Sequence, residues 1–318
     1  MKQGNTPATI YTLETERAVL RSCPCKDFHA PALHRAEHLS SAEFHTILES
    51  RQPLIVSGIA PDDWPARQKW NHSFFADLFT HRDVLSTGTD ADPYTFFGTG
   101  SFRDGACPLD LPRALQGSAA VSQTSCVVSE EFYAHDRQTV TSYFERVQNA
   151  PHAYASFTAN DQLTARLLQN DLHLPRFLSA SRVRADYLWL FLGKAAPWAH
   201  VRGAGSHHDD FATAALVHLQ LHGRKAWVLR PPPECSSVCE PMHFAVDEGD
   251  AFAFNGNYWR HSTYLPASQD EHISVALFYC PSAAELNAPT CEERGVLKPH
   301  ETPSMVIEAC RRQAGIFG

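Results

Sequence analysis

The sequence predicts an α+β fold in which helices pack on an antiparallel jelly-roll core. Helical apolar spacing dominates the N-terminal half, whereas short β-rich runs dominate after residue 183. Those runs are rich in Leu, Val, Phe and Trp and are separated by Gly, Pro and Asp: "RADYLWLFLG", "ALVHLQLHGRKAWVLRPP", "FAVDEGDAFAFNG" and "HISVALFYC". This spacing is typical of a β-sandwich or barrel. Helices followed by strands in one chain indicate an α+β arrangement.

The N-terminal half carries helix and strand signals. The segment "LSSAEFHTILES" begins with a serine N-cap signal and places Phe44, Ile47 and Leu48 at helical spacing, so it predicts a helix. The run "QPLIVSGI" predicts a short strand between Pro53 and Gly58. A turn rich in Trp and Pro then leads into a second predicted helix.

The middle of the chain has weaker patterns. Residues 86–135 are rich in Gly, Asp and Ser, and predict loops with short strands that could contact a substrate or form a lid. Helical patterning returns in "HDRQTVTSYFERVQNA" and in "NDQLTARLLQNDLHLPRF", where Pro175 marks a stop. The C-terminal segment "SMVIEACRRQ" also predicts a helix.

Composition narrows the classes of function. The net charge of −8 argues against non-specific binding to nucleic acid or to an anionic membrane. No apolar run approaches the roughly 20 residues of a membrane span, and the N-terminus lacks the apolar stretch of a secretory signal. The nine cysteines are an odd number without the density of a disulfide scaffold. We therefore expect free thiols and a cytoplasmic location.

Two cysteine clusters could bind a metal. "CPC" occupies residues 23–25, and "CSSVCEPMH" offers Cys235, Cys239 and His243 at a spacing that zinc could use. A structural zinc site is usually tetrahedral and needs four ligands. No clean second pair lies nearby in the sequence, so ordinary loop cysteines are the favoured interpretation.

The segment "GAGSHHDDFATAALVHLQLHGRKAWVLRPPPE" contains the main candidate for chemistry. Residues two apart share a strand face, so His207 with Asp209, or His208 with Asp210, would present an imidazole beside a carboxylate. A later histidine, His261, follows an apolar run and two aromatic residues. One H-x-D pair and one distant histidine form the facial triad, which holds Fe(II) and leaves positions open. A structural zinc site would instead be closed by a fourth protein ligand.

The surrounding motifs resemble the JmjC and cupin-like family of Fe(II)/2-oxoglutarate oxygenases. In that family the H-x-D/E pair is followed by a strand, by a "GxK.W.l.pP" turn and by "GD.lf.p..WWH"; this chain has "HGRKAWVLRPP" and "GDAFAFNGNYWRH". Upstream, "QPLIVSGIAPDDWPARQKW" is similar to the family's entry segment. The resemblance covers roughly residues 40 to 280.

The resemblance implies a double-stranded β-helix core with Fe(II), 2-oxoglutarate and O₂ as reactants. The implied activity is hydroxylation of a protein side chain or a small metabolite, coupled to oxidative decarboxylation of 2-oxoglutarate to succinate. Three alternatives stay open: N-demethylation, a cupin metalloenzyme that uses no 2-oxoglutarate, and a non-catalytic JmjC-like scaffold. The expected partner is a protein, peptide or small-molecule substrate.

The resemblance also suggests which histidine binds the metal. Family members place the glycine of "GxK" an odd number of residues after the ligand. His208 lies an odd number of residues before Gly223, so His208, Asp210 and His261 are the predicted ligands. A one-residue slip would turn every side chain of the strand to the other face, and the pair of His207 and Asp209 remains the alternative.

Two further residues are implied for the co-substrate. Lys225 occupies the place of a basic residue that holds the distal carboxylate of 2-oxoglutarate as a point charge, and Tyr154 that of a tyrosine that hydrogen-bonds it. A solvated turn lysine and an ordinary core tyrosine are the alternatives. His218 lies an even number of residues after His208, so both would face the same side of a continuous strand. It could line the cavity or belong to the core.

The predicted organisation has three parts. Residues 1–39 form an N-terminal extension, and residues 40–282 form the JmjC/cupin-like catalytic domain, with the metal-binding barrel at about 183–282. Residues 283–318 form a C-terminal helical segment. That segment could make a homodimer or pack back on its own domain.

Overall fold

A computed structural model describes most of the chain between Cys23 and Tyr279. The described residues are 23–60, 64–80, 94–105, 126–134, 142–145, 147, 150–159, 162–178, 183–209, 215–268 and 270–279. The C-terminal helical segment and the predicted ligand Asp210 therefore lie outside them. No helix in the described part is long and apolar enough to cross a membrane.

Four labelled helices lie between the strands of the N-terminal half. They are α1 (Ser41–Glu49), α2 (Pro65–Lys69), α3 (His72–Thr80) and α4 (Gln162–Asp171). As predicted, α1 begins at a serine N-cap, because the Ser40 Oγ accepts a hydrogen bond from the backbone N–H of Glu43 at 3.2 Å. Residues 142–145 are also helical.

Thirteen strands follow one another in a single hydrogen-bonded sheet within the described residues. The first six are β1 (Ala32–Arg35), β2 (Leu54–Ser57), β3 (Tyr94–Gly105), β4 (Cys126–Ala134), β5 (Ala153–Ala159) and β6 (Val183–Lys194). The others are β7 (His200–Arg202), β8 (Ala215–His222), β9 (Lys225–Arg230), β10 (Met242–Val246), β11 (Ala251–Phe254), β12 (Arg260–Leu265) and β13 (Glu271–Tyr279).

The strand order is that of a jelly roll with two walls. One wall runs β1-β2-β11-β8-β13-β6-β5, and the other runs β7-β12-β9-β10. Strands β3 and β4 connect the walls, since β3 pairs with β5 and β4 pairs in parallel with β7. The predicted fold class, a mostly β jelly-roll core with flanking helices, is confirmed.

Alternation along the strands separates an outer face from the barrel interior. In β8, Val217 and Leu219 belong to the same apolar cluster as Phe44 of α1. Leu216 belongs instead to a second cluster, rich in aromatic residues, that includes Trp227. Because side chains alternate between faces, the intervening His218 points into the barrel rather than toward the helices.

The prediction of loops with short strands for residues 86–135 needs a correction. It contains β3 and β4, which are 12 and 9 residues long and pair with each other in antiparallel register. Their backbone pairing to β5 and β7 extends the sheet despite the weak apolar pattern. Tertiary hydrogen bonding here outweighs local propensity.

The expectation of free thiols is wrong for four cysteines. Cys23 bonds to Cys235 and Cys25 to Cys239, so the "CPC" segment is fastened to the loop between β9 and β10. All four are buried. Disulfides persist in oxidising environments, so the cysteines no longer support the predicted cytoplasmic location.

Candidate metal centre and active site

Three polar side chains converge where the segment before β8 meets the start of β12. One ligand atom each from His207, Asp209 and His261 lies within 4.8 Å of the other two. The His207 Nε2 is 3.6 Å from one carboxylate oxygen of Asp209, and the His261 Nε2 is 3.5 Å from the other. Two imidazoles and one carboxylate thus face a common point.

Backbone hydrogen bonds position all three side chains. The His207 N–H donates to the His261 carbonyl at 3.0 Å, and the His261 N–H donates back at 2.8 Å. Asp209 is held by its own N–H, which donates to the carbonyl of Gly256 at 3.2 Å. A Cβ at position 256 would collide with the Asp209 carboxylate, so glycine is needed for this close approach.

Each imidazole is oriented by its second nitrogen. The Nδ1 of His207 lies 2.6 Å from the Gly205 carbonyl, and that of His261 lies 3.3 Å from the Trp259 carbonyl. Donation from Nδ1 leaves Nε2 with its lone pair directed at the cluster, which is how metal-binding histidines are usually arranged. Burial lowers the pKa of His261 to about 4, although nearby Asp209 opposes the shift, so its imidazole is neutral at pH 7.

The Asp209 carboxylate is buried among histidines that favour its ionised form. Burial acts to raise its pKa, but His261, His207 and His208 together bring it below the ordinary value. Its Oδ2 makes no hydrogen bond to any described residue. A buried carboxylate oxygen without a hydrogen bond to any described residue, beside the Nε2 atoms of two histidines, fits a divalent transition metal.

The predicted ligand His208 does not join this cluster; its neighbour does. His208 is exposed. The parity argument treated the chain up to Gly223 as one continuous strand, but β8 begins only at Ala215. His208 and Asp209 lie outside any strand, so strand alternation cannot be counted from them to Gly223, and the structure assembles the alternative pair of His207 and Asp209.

The predicted co-substrate residues lie in the same barrel. Lys225 is buried and its Nζ donates to the Ser274 Oγ at 2.9 Å. The Nζ also lies 4.4 Å from the ring centre of Phe191 and 5.9 Å from that of Tyr154. Lys225 is therefore not a solvated turn lysine, and the structure brings it together with Tyr154.

Lys225 is a basic group in a buried position. Burial lowers its pKa to about 7, and no carboxylate among the described residues pairs with the amine. Buried lysines in proteins are normally paired. An anionic ligand in the barrel interior could pair with this amine.

The sequence matches the model of the Cupin-like domain over residues 40–286. The chain belongs to the Cupin-like domain family. Comparison with curated proteins finds no significant match. Two solved structures of a ribosomal oxygenase from Escherichia coli, YcfD, are similar at 13% and 14% sequence identity, with TM-scores of 0.36 and 0.38. Each alignment covers 83% of this chain and 62% of the other, so this chain spans less than two thirds of that protein.

Within this Cupin-like domain, sequence reasoning missed Ser274 as the partner of Lys225. Ser274 lies across the barrel on β13, far from Lys225 in sequence. The alternation in "HISVALFY" places it on the inner face, which was the available signal. The pattern did not show which inner residue would meet the lysine.

Proposed function

We propose that the chain is an Fe(II)- and 2-oxoglutarate-dependent oxygenase, most simply a hydroxylase of a protein side chain or a small metabolite. The observation that carries the proposal is a pair of features in one barrel. Two histidines and one aspartate form a cluster, and the same barrel holds a buried lysine that has no carboxylate partner among the described residues.

His207, Asp209 and His261 would hold the iron. Two neutral imidazoles and one carboxylate are the ligand set that non-haem Fe(II) oxygenases use, because it leaves coordination positions for a chelating co-substrate and O₂. With iron bound there, O₂ would be the oxidant, with one oxygen atom entering succinate as 2-oxoglutarate loses CO₂ and the other entering the hydroxylated C–H bond.

Lys225 would bind the distal carboxylate of 2-oxoglutarate. Its amine is fixed by Ser274 and faces the ring of Tyr154, so it can offer its remaining N–H groups without reorganising. The Ser274 hydroxyl accepts from the lysine and keeps its own hydrogen for a ligand oxygen. A charge-assisted hydrogen bond in this dry interior is stronger than one in water.

Aromatic side chains line the barrel interior near both the lysine and the metal cluster. The Trp227 ring lies 5.5 Å from the Lys225 Nζ and 6.0 Å from the His261 ring, and Phe254 lies 4.8 Å from the same histidine. With a co-substrate bound, these apolar rings would limit the access of water to the space around it. Exclusion of water protects a reactive oxidant from side reactions.

The first experiment is an anaerobic titration of the metal-loaded protein. Fe(II) is added to purified protein, followed by 2-oxoglutarate, and the visible charge-transfer band of the chelate is recorded. His207→Ala should abolish the band, and His208→Ala is the matched control, which should retain it. Asp209→Ala should behave like His207→Ala.

Each outcome of that titration has a defined meaning. A band in wild type that survives His208→Ala but not His207→Ala supports both the metal site and the co-substrate. Iron binding without a band would overturn the 2-oxoglutarate assignment and favour a cupin metalloenzyme of another kind. No iron binding at all would favour a non-catalytic scaffold.

Turnover would then define the reaction. Succinate release is measured over a panel of peptides and metabolites, and formaldehyde is measured in the same samples. Succinate without formaldehyde indicates hydroxylation, whereas matched release of both indicates N-demethylation.

A further inference from the structure

His218 has a buried imidazole that makes no hydrogen bond within the described structure. Only 5% of the residue is exposed, and neither ring nitrogen forms a hydrogen bond to a described residue. Its ring is surrounded by aromatic side chains, with centroid distances of 4.7 Å to Trp227, 5.3 Å to Phe191 and 6.0 Å to Phe254. A phenylalanine would pack here without leaving two polar nitrogens unsatisfied, so packing alone does not explain a histidine.

The imidazole lies beside the buried lysine. Phe191 and Trp227 contact both groups, since the Lys225 Nζ is 4.4 Å and 5.5 Å from their ring centres. The strand register also places His218 near the lysine. His218 pairs with Ala276, two residues along β13 from Ser274, and residues two apart share a face. His218, Ser274 and Lys225 therefore line one part of the interior.

This part of the barrel faces toward the metal cluster. Trp227 contacts both His218 and His261. Burial, the charge of Lys225 and, more weakly, His261 and His207 hold the pKa of His218 well below its usual range. The imidazole is thus neutral at pH 7 and carries one N–H donor.

We propose that His218 is a further hydrogen-bond donor, beside Lys225 and Ser274, for the distal carboxylate of the co-substrate, and so helps to select a dicarboxylate. The inference rests on the proposed function and adds a specificity residue to it. A carboxylate has two oxygens and can accept from the amine and the imidazole together. Binding would also satisfy the buried imidazole, which removes the cost of leaving it unpaired in the complex.

The test compares two co-substrates on three proteins. His218→Phe keeps an aromatic ring and removes the donor, and His218→Gln restores a donor in a side chain of similar size. The dissociation constants of 2-oxoglutarate and of 2-oxopentanoate, which lacks the distal carboxylate, are measured anaerobically on the Fe(II) protein from the charge-transfer band. The dissociation constant of Fe(II) alone is measured in parallel.

The proposal predicts a selective loss. His218→Phe should weaken 2-oxoglutarate about tenfold to a hundredfold, which is the range for a hydrogen bond to a charged group. Binding of 2-oxopentanoate and of Fe(II) should change less than about threefold, and His218→Gln should recover most of the 2-oxoglutarate affinity.

Two results would overturn the inference while leaving the proposed function intact. Unchanged 2-oxoglutarate affinity in His218→Phe would show that the imidazole makes no contact with the carboxylate. An equal loss for both co-substrates would show that the residue only shapes the cavity. If wild type binds Fe(II) but gives no band with either co-substrate, the proposed function and this inference fail together.

Discussion

We expect the free energy of unfolding to respond non-additively when the two disulfides are removed. The perturbations are Cys23→Ala with Cys235→Ala, then Cys25→Ala with Cys239→Ala, and finally all four substitutions. Each bond alone joins residues more than 200 positions apart, at separations of 212 and 214. In the chain-entropy description, closing such a loop stabilises the protein by about 5 kcal/mol.

The second bond contributes much less than the first. With one disulfide in place, the other closes only the small ring made by residues 23–25 and 235–239, worth about 2.5 kcal/mol. Removing either bond should therefore cost about 2.5 kcal/mol, and removing both about 8 kcal/mol. Loss of side-chain packing adds to each variant but should largely cancel from the excess over additivity.

Urea unfolding without reductant, followed by tryptophan fluorescence, measures these differences. An excess of about 3 kcal/mol should separate the quadruple variant from the sum of the two double variants. The same series in reductant is the control, because there every protein lacks the bonds and the effects should add. Additivity within about 0.5 kcal/mol without reductant would refute the reasoning.

Three further results are expected. The affinity for 2-oxoglutarate should fall by up to about tenfold per pH unit above pH 7, because the carboxylate binds the protonated Lys225, whose pKa is about 7 when no ligand is bound. Isothermal calorimetry should show that this pH dependence disappears in Lys225→Met. A wild-type affinity that does not change with pH would contradict the prediction. Gly256→Ala should weaken metal binding by at least about tenfold in a Co(II) titration, since the new Cβ displaces Asp209; unchanged affinity would show that the close approach is not required. Ser40→Ala should lower the free energy of unfolding by about 1 kcal/mol in urea and leave metal affinity unchanged, because it removes only the N-cap of α1.

The fold could be predicted because its signals are local. Apolar alternation between polar turns defines the later strands, and the serine N-cap defines α1. The long strands β3 and β4 were missed because their stability comes from backbone pairing with β5 and β7 rather than from a repeating apolar pattern. No short sequence window contains that information.

The disulfides show a second limit of sequence reasoning. "CPC" and "CSSVC" look like isolated loop cysteines because more than 200 residues separate them. Spacing along the chain does not reveal which distant segment will lie opposite. The fold brings the two segments together beneath Tyr258, whose hydroxyl lies 3.2 Å from the Cys25 Sγ.

That contact links the cysteine cluster to the metal ligands. Tyr258 belongs to the turn after β11, in which its N–H donates to the Asn255 carbonyl at 3.2 Å. The same turn contains Gly256, which holds Asp209, and it leads directly into His261. The disulfide-bonded segments therefore help to hold this turn in place. The turn in its place contacts Asp209 and leads into His261, which are two of the three proposed ligands.

The register between the His207 segment and β12 determines which imidazole can reach the metal. His207 pairs directly with His261, and residues paired across an antiparallel bridge project to the same side of the sheet. His208 must then project to the other side, where it is exposed. A shift of one residue would exchange the two histidines and also break both main-chain hydrogen bonds between His207 and His261. Retention of iron by His207→Ala and its loss in His208→Ala would therefore mean that the chain in solution adopts the shifted register, with Asp210 in place of Asp209.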